Sequence, residues 1–440
     1  MKIKVSINRL ILFLLMCTLL IPGTNWRMYY LLAVFYIFII SRKTISDISV
    51  LAVGKYKSIY IITFVGSYLI HYYSGSLLGI FSFLCIFLIP RIIVVKCTKS
   101  YDDIEWLLDI TVYIFMIHAI LGIYEGFTEK NIFDAFLHRQ IIYGGANSYR
   151  GSLFRSHGIF SVSINNGMFM CMGWVLSLYK LVKNNRLKYL IPLLLIGIDL
   201  FLIFSRMVLI IAVFSAIMIL LLLKPKKLTK YLLLGGGVLF AIWNFASDEF
   251  QVSILEFANK YFKPLLDELI NFDSSQTINW GGSGERLALW GWVWEFVKGN
   301  ALFGIGFESQ FSHVFFANGF WKTKVSVEVQ WLYILLQKGF FGLLGFVAYE
   351  WYCLRETFRA FRNDLHERPN IPIVFFIMAA GYFLNLFTCA AFEDLEFFYV
   401  LFAIVEGYTE LSLGMEKDEP KEKHYQIRIS PIFLNSDQKE

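Results

Sequence analysis

The chain has 440 residues, of which 57% are hydrophobic, 18% aromatic and only 17% charged, and its mean hydropathy is +0.58. Soluble domains carry about 25% charged residues, so an ordinary globular protein is excluded, and 44 phenylalanines exclude a disordered one. The formal net charge of +6 is spread between apolar runs, a pattern that sets orientation in a membrane and excludes nucleic acid as the expected partner.

Residues 1–123 open with Lys2, Lys4 and Arg9 ahead of an apolar run near 10–26. No small-x-small cleavage site follows, so a retained first helix is expected. Spans 2–5 are predicted near 28–41, 58–73, 76–92 and 104–123. A first long outer loop occupies 124–157. Residues 158–247 read as spans 6–9, near 158–179, 189–204, 207–223 and 231–247. The pair within 189–223 is short for two crossings at about 1.5 Å per residue, and its turn at Ser205-Arg206 has neither Gly nor Pro. A single crossing would place the basic segment 224–230 on the wrong side, so two short helices are expected.

A large outer loop follows at 248–328. Within it, 285–296 reads as a short amphipathic helix whose Trp290 and Trp294 share a face suited to the headgroup zone. Residues 329–413 hold spans 10–12, near 329–351, 371–390 and 396–413, and 414–440 is a Lys- and Glu-rich cytoplasmic tail. The expected fold is all-α: a polytopic membrane protein of about 12 transmembrane helices, with a large extracytoplasmic loop between spans 9 and 10. Both termini are expected to be cytoplasmic, because most of the 40 lysines and arginines then fall inside. The six cysteines show neither CxxC nor metal-ligand spacing, so neither a disulfide framework nor a metal is expected.

Arg150, Arg155, Arg206 and Arg286 lie on the outer side, which positive-inside bias depletes. The guanidinium fork suits bidentate phosphate binding, and several forks would hold a diphosphate. Arg206 carries the most information, because a guanidinium at membrane depth needs a partner or must snorkel to headgroups. For Arg150 and Arg155 singly, a solvated loop charge is the simpler reading. Glu328 enters the tenth span in Ser326-Val-Glu-Val-Gln-Trp. It reads either as a helix-start carboxylate or as a general base. Lys338 lies ten residues on, an ammonium at depth, with Glu406 as its expected partner. His313 is a further outer-loop candidate base, and Gly304-Ile-Gly306 marks a turn or a phosphate cradle.

These pieces, in order, resemble the O-antigen ligase and O-antigen polymerase superfamily of bacterial polysaccharide assembly. Arg155-Ser-His-Gly-Ile-Phe, with Asn165-Asn166-Gly, is similar to its entry to a span. Phe204-Ser205-Arg206 resembles its "S-R" helix start. Gly284-Glu-Arg286, Trp290 and Gly304-Ile-Gly306 are similar to its outer stretch. Tyr333-Ile-Leu-Leu-Gln-Lys-Gly339-Phe-Phe-Gly342 resembles its "Y-L-x-L-L-x-x-x-G-x-x-G" span. The resemblance implies a metal-independent glycosyltransferase without cofactor in the bacterial cytoplasmic membrane. Its substrate would be undecaprenyl-diphosphate-linked glycan, gripped by Arg155, Arg206 and Arg286.

Family ligases carry His-Asn before the "Y-L" span, where this chain has Glu328. That departure points to a polymerase with Glu328 as base. A ligase transferring to a lipid or protein acceptor and a lipid-linked oligosaccharide flippase are the alternatives. Membrane lipids are expected partners, and a chain-length regulator is left open.

Overall fold

The computed structural model describes residues 7–20, 31, 54–132, 149–150, 153–160, 162–184, 187–203, 205–223, 283–307, 311–317, 320–324, 327–363, 370–387, 389 and 395–418. The expected span near 231–247, all but residue 31 of the one near 28–41, and most of the tail lie outside these residues.

Among the described residues the chain is mostly helical. The helices are α1 (Ile7–Cys17), α2 (Lys55–Ile70), α3 (Ser76–Cys97), α4 (Tyr101–Thr128), α5 (Ser163–Asn184), α6 (Leu190–Leu202), α7 (Arg206–Leu223), α8 (Ser283–Val297), α9 (Gln330–Asn363), α10 (Asn370–Asn385) and α11 (Leu395–Asp418). Two short antiparallel hairpins depart from the all-helical expectation: β1 (Tyr149–Arg150) with β2 (Leu153–Phe154), and β3 (His313–Ala317) with β4 (Phe320–Lys324).

Three of the helices, α3, α4 and α9, are long and apolar enough to cross a membrane, and shorter apolar helices run over Ile7–Leu20, Leu190–Leu202, Met207–Leu223 and Ile371–Asn385. Large apolar side chains point outward in stripes, such as Tyr113, Ile117, Ile120 and Tyr124 on α4 and Phe340, Leu344, Val347 and Trp351 on α9. In water such stripes would be an aggregation surface; in a bilayer they face their solvent.

Packing follows sequence neighbours in part only. α2 lies along α9, α3 along α11, α4 along α6 and α5 along α7, while α10 contacts α5, α7 and α9. Local signals fix several ends. Ser100 and Asp103 form a reciprocal capping box at the start of α4, which satisfies two of the amides that a helix start leaves open.

The bundle has two chemically different ends. At one, Lys180 and Lys183 of α5 bind Glu105 of α4 at 2.6 and 2.5 Å, Lys180 reaches Asp109 at 2.7 Å, and Arg9 binds Asp103 at 2.9 Å. The opposite end gathers residues 71–75, 153–160, 203, 205–206, 298–307, 386–387 and 389. There His71 Nε2 lies 2.8 Å from the Phe303 carbonyl, and the Gln330 amide donates to the carbonyls of Leu386 and Cys389.

A second, smaller core lies at this loop-rich end. Leu289, Val293 and Val297 of α8 pack with Phe311, Val327, Val329, Leu332, Leu335 and Leu336. Their spacing of four along α8 makes one face, and burying each contributes about 1.5–3 kcal/mol. The other face of α8 leaves Trp290 and Trp294 exposed.

A candidate substrate site at the loop-rich end

Residues 155–160 are not helical, although a span was expected to begin near 158. They form a buried turn ahead of α5, with Gly158 at φ +58°. A side chain at Gly158 would collide with Asn166, so glycine is required twice over there.

Two carboxylates from neighbouring helices hold this turn. Glu125 of α4 accepts the amides of His157 at 2.9 Å and Gly158 at 2.7 Å. Asp199 of α6 accepts the Ser156 hydroxyl at 2.9 Å, with Asn166 at 3.4 Å. Asn131 donates to the Gly158 carbonyl at 2.6 Å, and the Ser156 amide to the Leu202 carbonyl at 3.2 Å. Glu125, Asn131, Ser156, His157, Asn166 and Asp199 are all buried, where an unpaired polar group would be costly.

Arg155 follows from that frame. It is buried, contrary to the solvated loop charge expected of it, and its Nε donates to the Ile203 carbonyl at 3.1 Å. Ile203 caps the C-terminus of α6, and α7 begins at Arg206 after Ser205, whose carbonyl accepts the Leu209 amide. Two helices thus occupy 189–223, and the break between them brings the backbone of Arg206 to within three residues of the Arg155 anchor. The side chain of Arg206 lies outside the described atoms, as do those of Arg150 in β1 and Arg286 in the first turn of α8.

The remaining candidates are carried by the second core. Glu328 stands between buried Val327 and Val329 with its side chain half exposed, and it accepts an ion pair from Lys324 Nζ at 2.6 Å. His313 opens β3 and stacks on Trp292 with ring centroids 4.4 Å apart. The stack gives this histidine a structural partner.

α9 breaks at Gly339, whose φ of 63° and ψ of −163° lie outside the helical region. Four main-chain groups would normally bond one another across this point. Instead, the Leu336 and Gln337 carbonyls accept the amides of Ile305 and Gly306, and the Phe340 and Phe341 amides donate to the carbonyls of Ala301 and Leu302. A strap, residues 301–306, is grafted onto the break and satisfies all four groups.

The graft also explains the two glycine motifs. A Cβ on Gly304 (φ +79°) would strike the backbone of Gln337 and Gly339, and one on Gly339 would strike the backbone of Leu302 and Gly304. Gly304-Ile-Gly306 is therefore a packing partner of Gly339; the Ile305 and Gly306 amides are taken up by α9, and the Gly304 amide donates to the Asn300 carbonyl. Beside the strap, a cleft of about 330 Å³ is lined by Ile70, His71 and residues 299–304.

Lys338 sits immediately before the break. Glu406 is not its partner: that carboxylate lies deep in the bundle, bonded to Lys57 at 3.1 Å, to Arg91, and to the Tyr352 hydroxyl at 2.6 Å. The expectation failed because helical depth was counted along an unbroken α9.

The structure therefore joins Arg155 to the start of α7, and joins Glu328, Lys324, His313 and α8 through the second core. Gln330 ties the start of α9 to the end of α10 through the carbonyls of Leu386 and Cys389. Sequence reasoning missed Glu125, Asp199, Ser156, Asn131 and Lys324. Asp199 had a signal, being the sole charged residue of α6, since an ionisable group in an apolar helix is a site candidate by default.

Comparison with known proteins finds one family. A family model described as O-antigen ligase matches residues 191–347, a stretch from α6 through the break in α9. No curated protein matches the chain.

Proposed function

From the premise that this chain is a member of the O-antigen ligase and polymerase superfamily, we propose that it polymerises undecaprenyl-diphosphate-linked oligosaccharide repeat units at the outer face of the bacterial cytoplasmic membrane. The observation that carries the reading is the bond from buried Arg155 to the Ile203 carbonyl. It ties an arginine that precedes the family-matched region to the point where Arg206 begins α7.

In this reading Glu328 removes the proton from an acceptor sugar hydroxyl. The oxygen attacks the anomeric carbon of the donor glycan, the bond from that carbon to the diphosphate oxygen breaks, and undecaprenyl diphosphate leaves with the electron pair. Arg155, Arg206 and Arg286 stabilise the charge that grows on the leaving diphosphate, a preorganised electrostatic role. Lys324 gives the Glu328 carboxylate a fixed partner. The carboxylate at 328, where family ligases carry His-Asn, favours polymerase.

A ligase reading, with transfer to a lipid or protein acceptor, is favoured by the matched family's own description. One assay separates the two. Purified protein with a lipid-diphosphate-linked repeat unit and EDTA is expected to give a chain-length ladder, reduced roughly 10²–10³-fold in Arg206→Ala and lost in Glu328→Gln. Consumption of substrate only when a second acceptor is added would establish the ligase. A Glu328→Gln variant that polymerises at full rate would remove Glu328 from the mechanism.

A further inference from the structure

Buried lysines in this bundle are supplied with carboxylates. Lys57 has Glu406 at 3.1 Å, Lys180 has Glu105 at 2.6 Å and Asp109 at 2.7 Å, and Lys324 has Glu328 at 2.6 Å. Lys338 is different. Its Nζ stands 3.6 Å from the ring centre of Phe64, 5.3 Å from that of Phe307 and 5.9 Å from that of Tyr68. No carboxylate binds it among the described residues.

The rings are held independently of the lysine. Tyr68 of α2 and Phe307 at the end of the strap stack at 4.1 Å. The approach is also built on purpose in the backbone: Gly342 has no Cβ because the Lys338 stem fills that space. An aromatic face replaces part of an ammonium's hydration. It offers no acceptor to the three N–H donors of the group. The residue is part-buried, and among the described residues no oxygen accepts from those donors.

We propose that Lys338, backed by Phe64, Tyr68 and Phe307, is a second oxyanion-binding site that engages the lipid-linked substrate through a phosphate or a sugar carboxylate. The identity of the substrate rests on the function proposed above; the site itself does not. In the segment 330–338, Leu332, Leu335 and Leu336 take α8, while Ile334 joins the main core.

The test is equilibrium binding to the full-length protein in nanodiscs, with farnesyl diphosphate, farnesol and glucuronate as probes, for wild type, Lys338→Met and Lys338→Arg. Wild type is expected to bind at least one anion, with affinity reduced about ten-fold or more in Lys338→Met and kept within about three-fold in Lys338→Arg. Loss confined to farnesyl diphosphate identifies a phosphate site, and loss confined to glucuronate an acidic-sugar site. Farnesol binding should not change. Equal affinities of wild type and Lys338→Met for both anions, or no anion binding by wild type, would overturn the proposal.

Should Lys338→Met not fold, acetylation of Lys338 in the wild type, read by mass spectrometry, serves instead. Protection by an anionic probe and not by glucose supports the site, and equal labelling in all cases overturns it. A wild type that binds an anion through Lys338 but yields no ladder defeats the polymerase reading and leaves this site standing.

Discussion

Glu125 and Asp199 act on the candidate site without needing to touch a substrate. Each is a buried carboxylate bonded to the turn that carries Arg155: Glu125 Oε2 accepts two backbone amides and Asp199 Oδ1 the Ser156 hydroxyl. Glu125→Ala would leave two buried amides unbonded, at about 1–3 kcal/mol each. A lowered thermal unfolding midpoint in detergent is expected, together with loss of polymerisation, and Glu125→Gln, which keeps one acceptor oxygen, should retain most of the stability. Glu328→Gln is the contrasting case. Its side chain is half exposed but the Lys324 ammonium it binds is buried, and glutamine keeps an acceptor oxygen for it, so Glu328→Gln should cost no more than about 1–3 kcal/mol while activity is lost. A Glu328→Gln protein that unfolds early would mark that carboxylate as structural. At this scale the sequence was readable by residue type and unreadable by environment. A loop arginine beside Ser, His and Gly reads as solvated, because nothing nearby in sequence shows that a carboxylate thirty residues earlier holds the amides of the residues that follow it. Asp199 stood out against its apolar helix; Asn131 did not stand out at all.

The elements were legible where one physical rule dominates. Apolar runs found the helices around 58–92, 104–123, 207–223 and 396–413, and the spacing of α8 was readable from its tryptophans. The break in α9 was not, because a Gly-x-x-Gly in an apolar run is equally compatible with a continuous helix. What decides it is the strap, more than thirty residues away. Gly339→Ala combines a backbone conformation reserved for glycine with a clash against Leu302 and Gly304. It should cost at least about 1–3 kcal/mol, seen as loss of the monodisperse peak in size-exclusion chromatography. Gly291→Ala, in mid-helix on α8 with open space around it, should leave that peak intact and gain up to about 1 kcal/mol. If both variants behave alike, the graft is not what holds the loop-rich end.

For the whole molecule, the lysine-rich end and the loop-rich end give an orientation that can be tested directly. With the lysine-rich end cytoplasmic, as positive-inside bias requires, a cysteine at exposed Lys99 should resist a membrane-impermeant thiol reagent in intact cells. One at exposed Gly299 should react. The reverse pattern would move the proposed chemistry to the cytoplasm. Cohesion across the bundle has its own test in Glu406, where α11 meets Lys57 of α2, Arg91 of α3 and Tyr352 of α9. Glu406→Ala removes the carboxylate shared by two buried cations and should destabilise the fold by about 3–5 kcal/mol, measured as a collapse in folded yield.

The strap has a further consequence for how α9 is threaded. Because its bonds to α9 are made by main-chain groups, they fix which residue begins the final stretch, 340–363, independently of the side chains there. Slipping the pairing by one residue would advance that stretch by about 1.5 Å and turn it by about 100°. Tyr352 would swing away from Glu406, and Phe346 away from Trp331. Residues 301–306 therefore set the phase of a helix whose far end lies on the other side of the bundle.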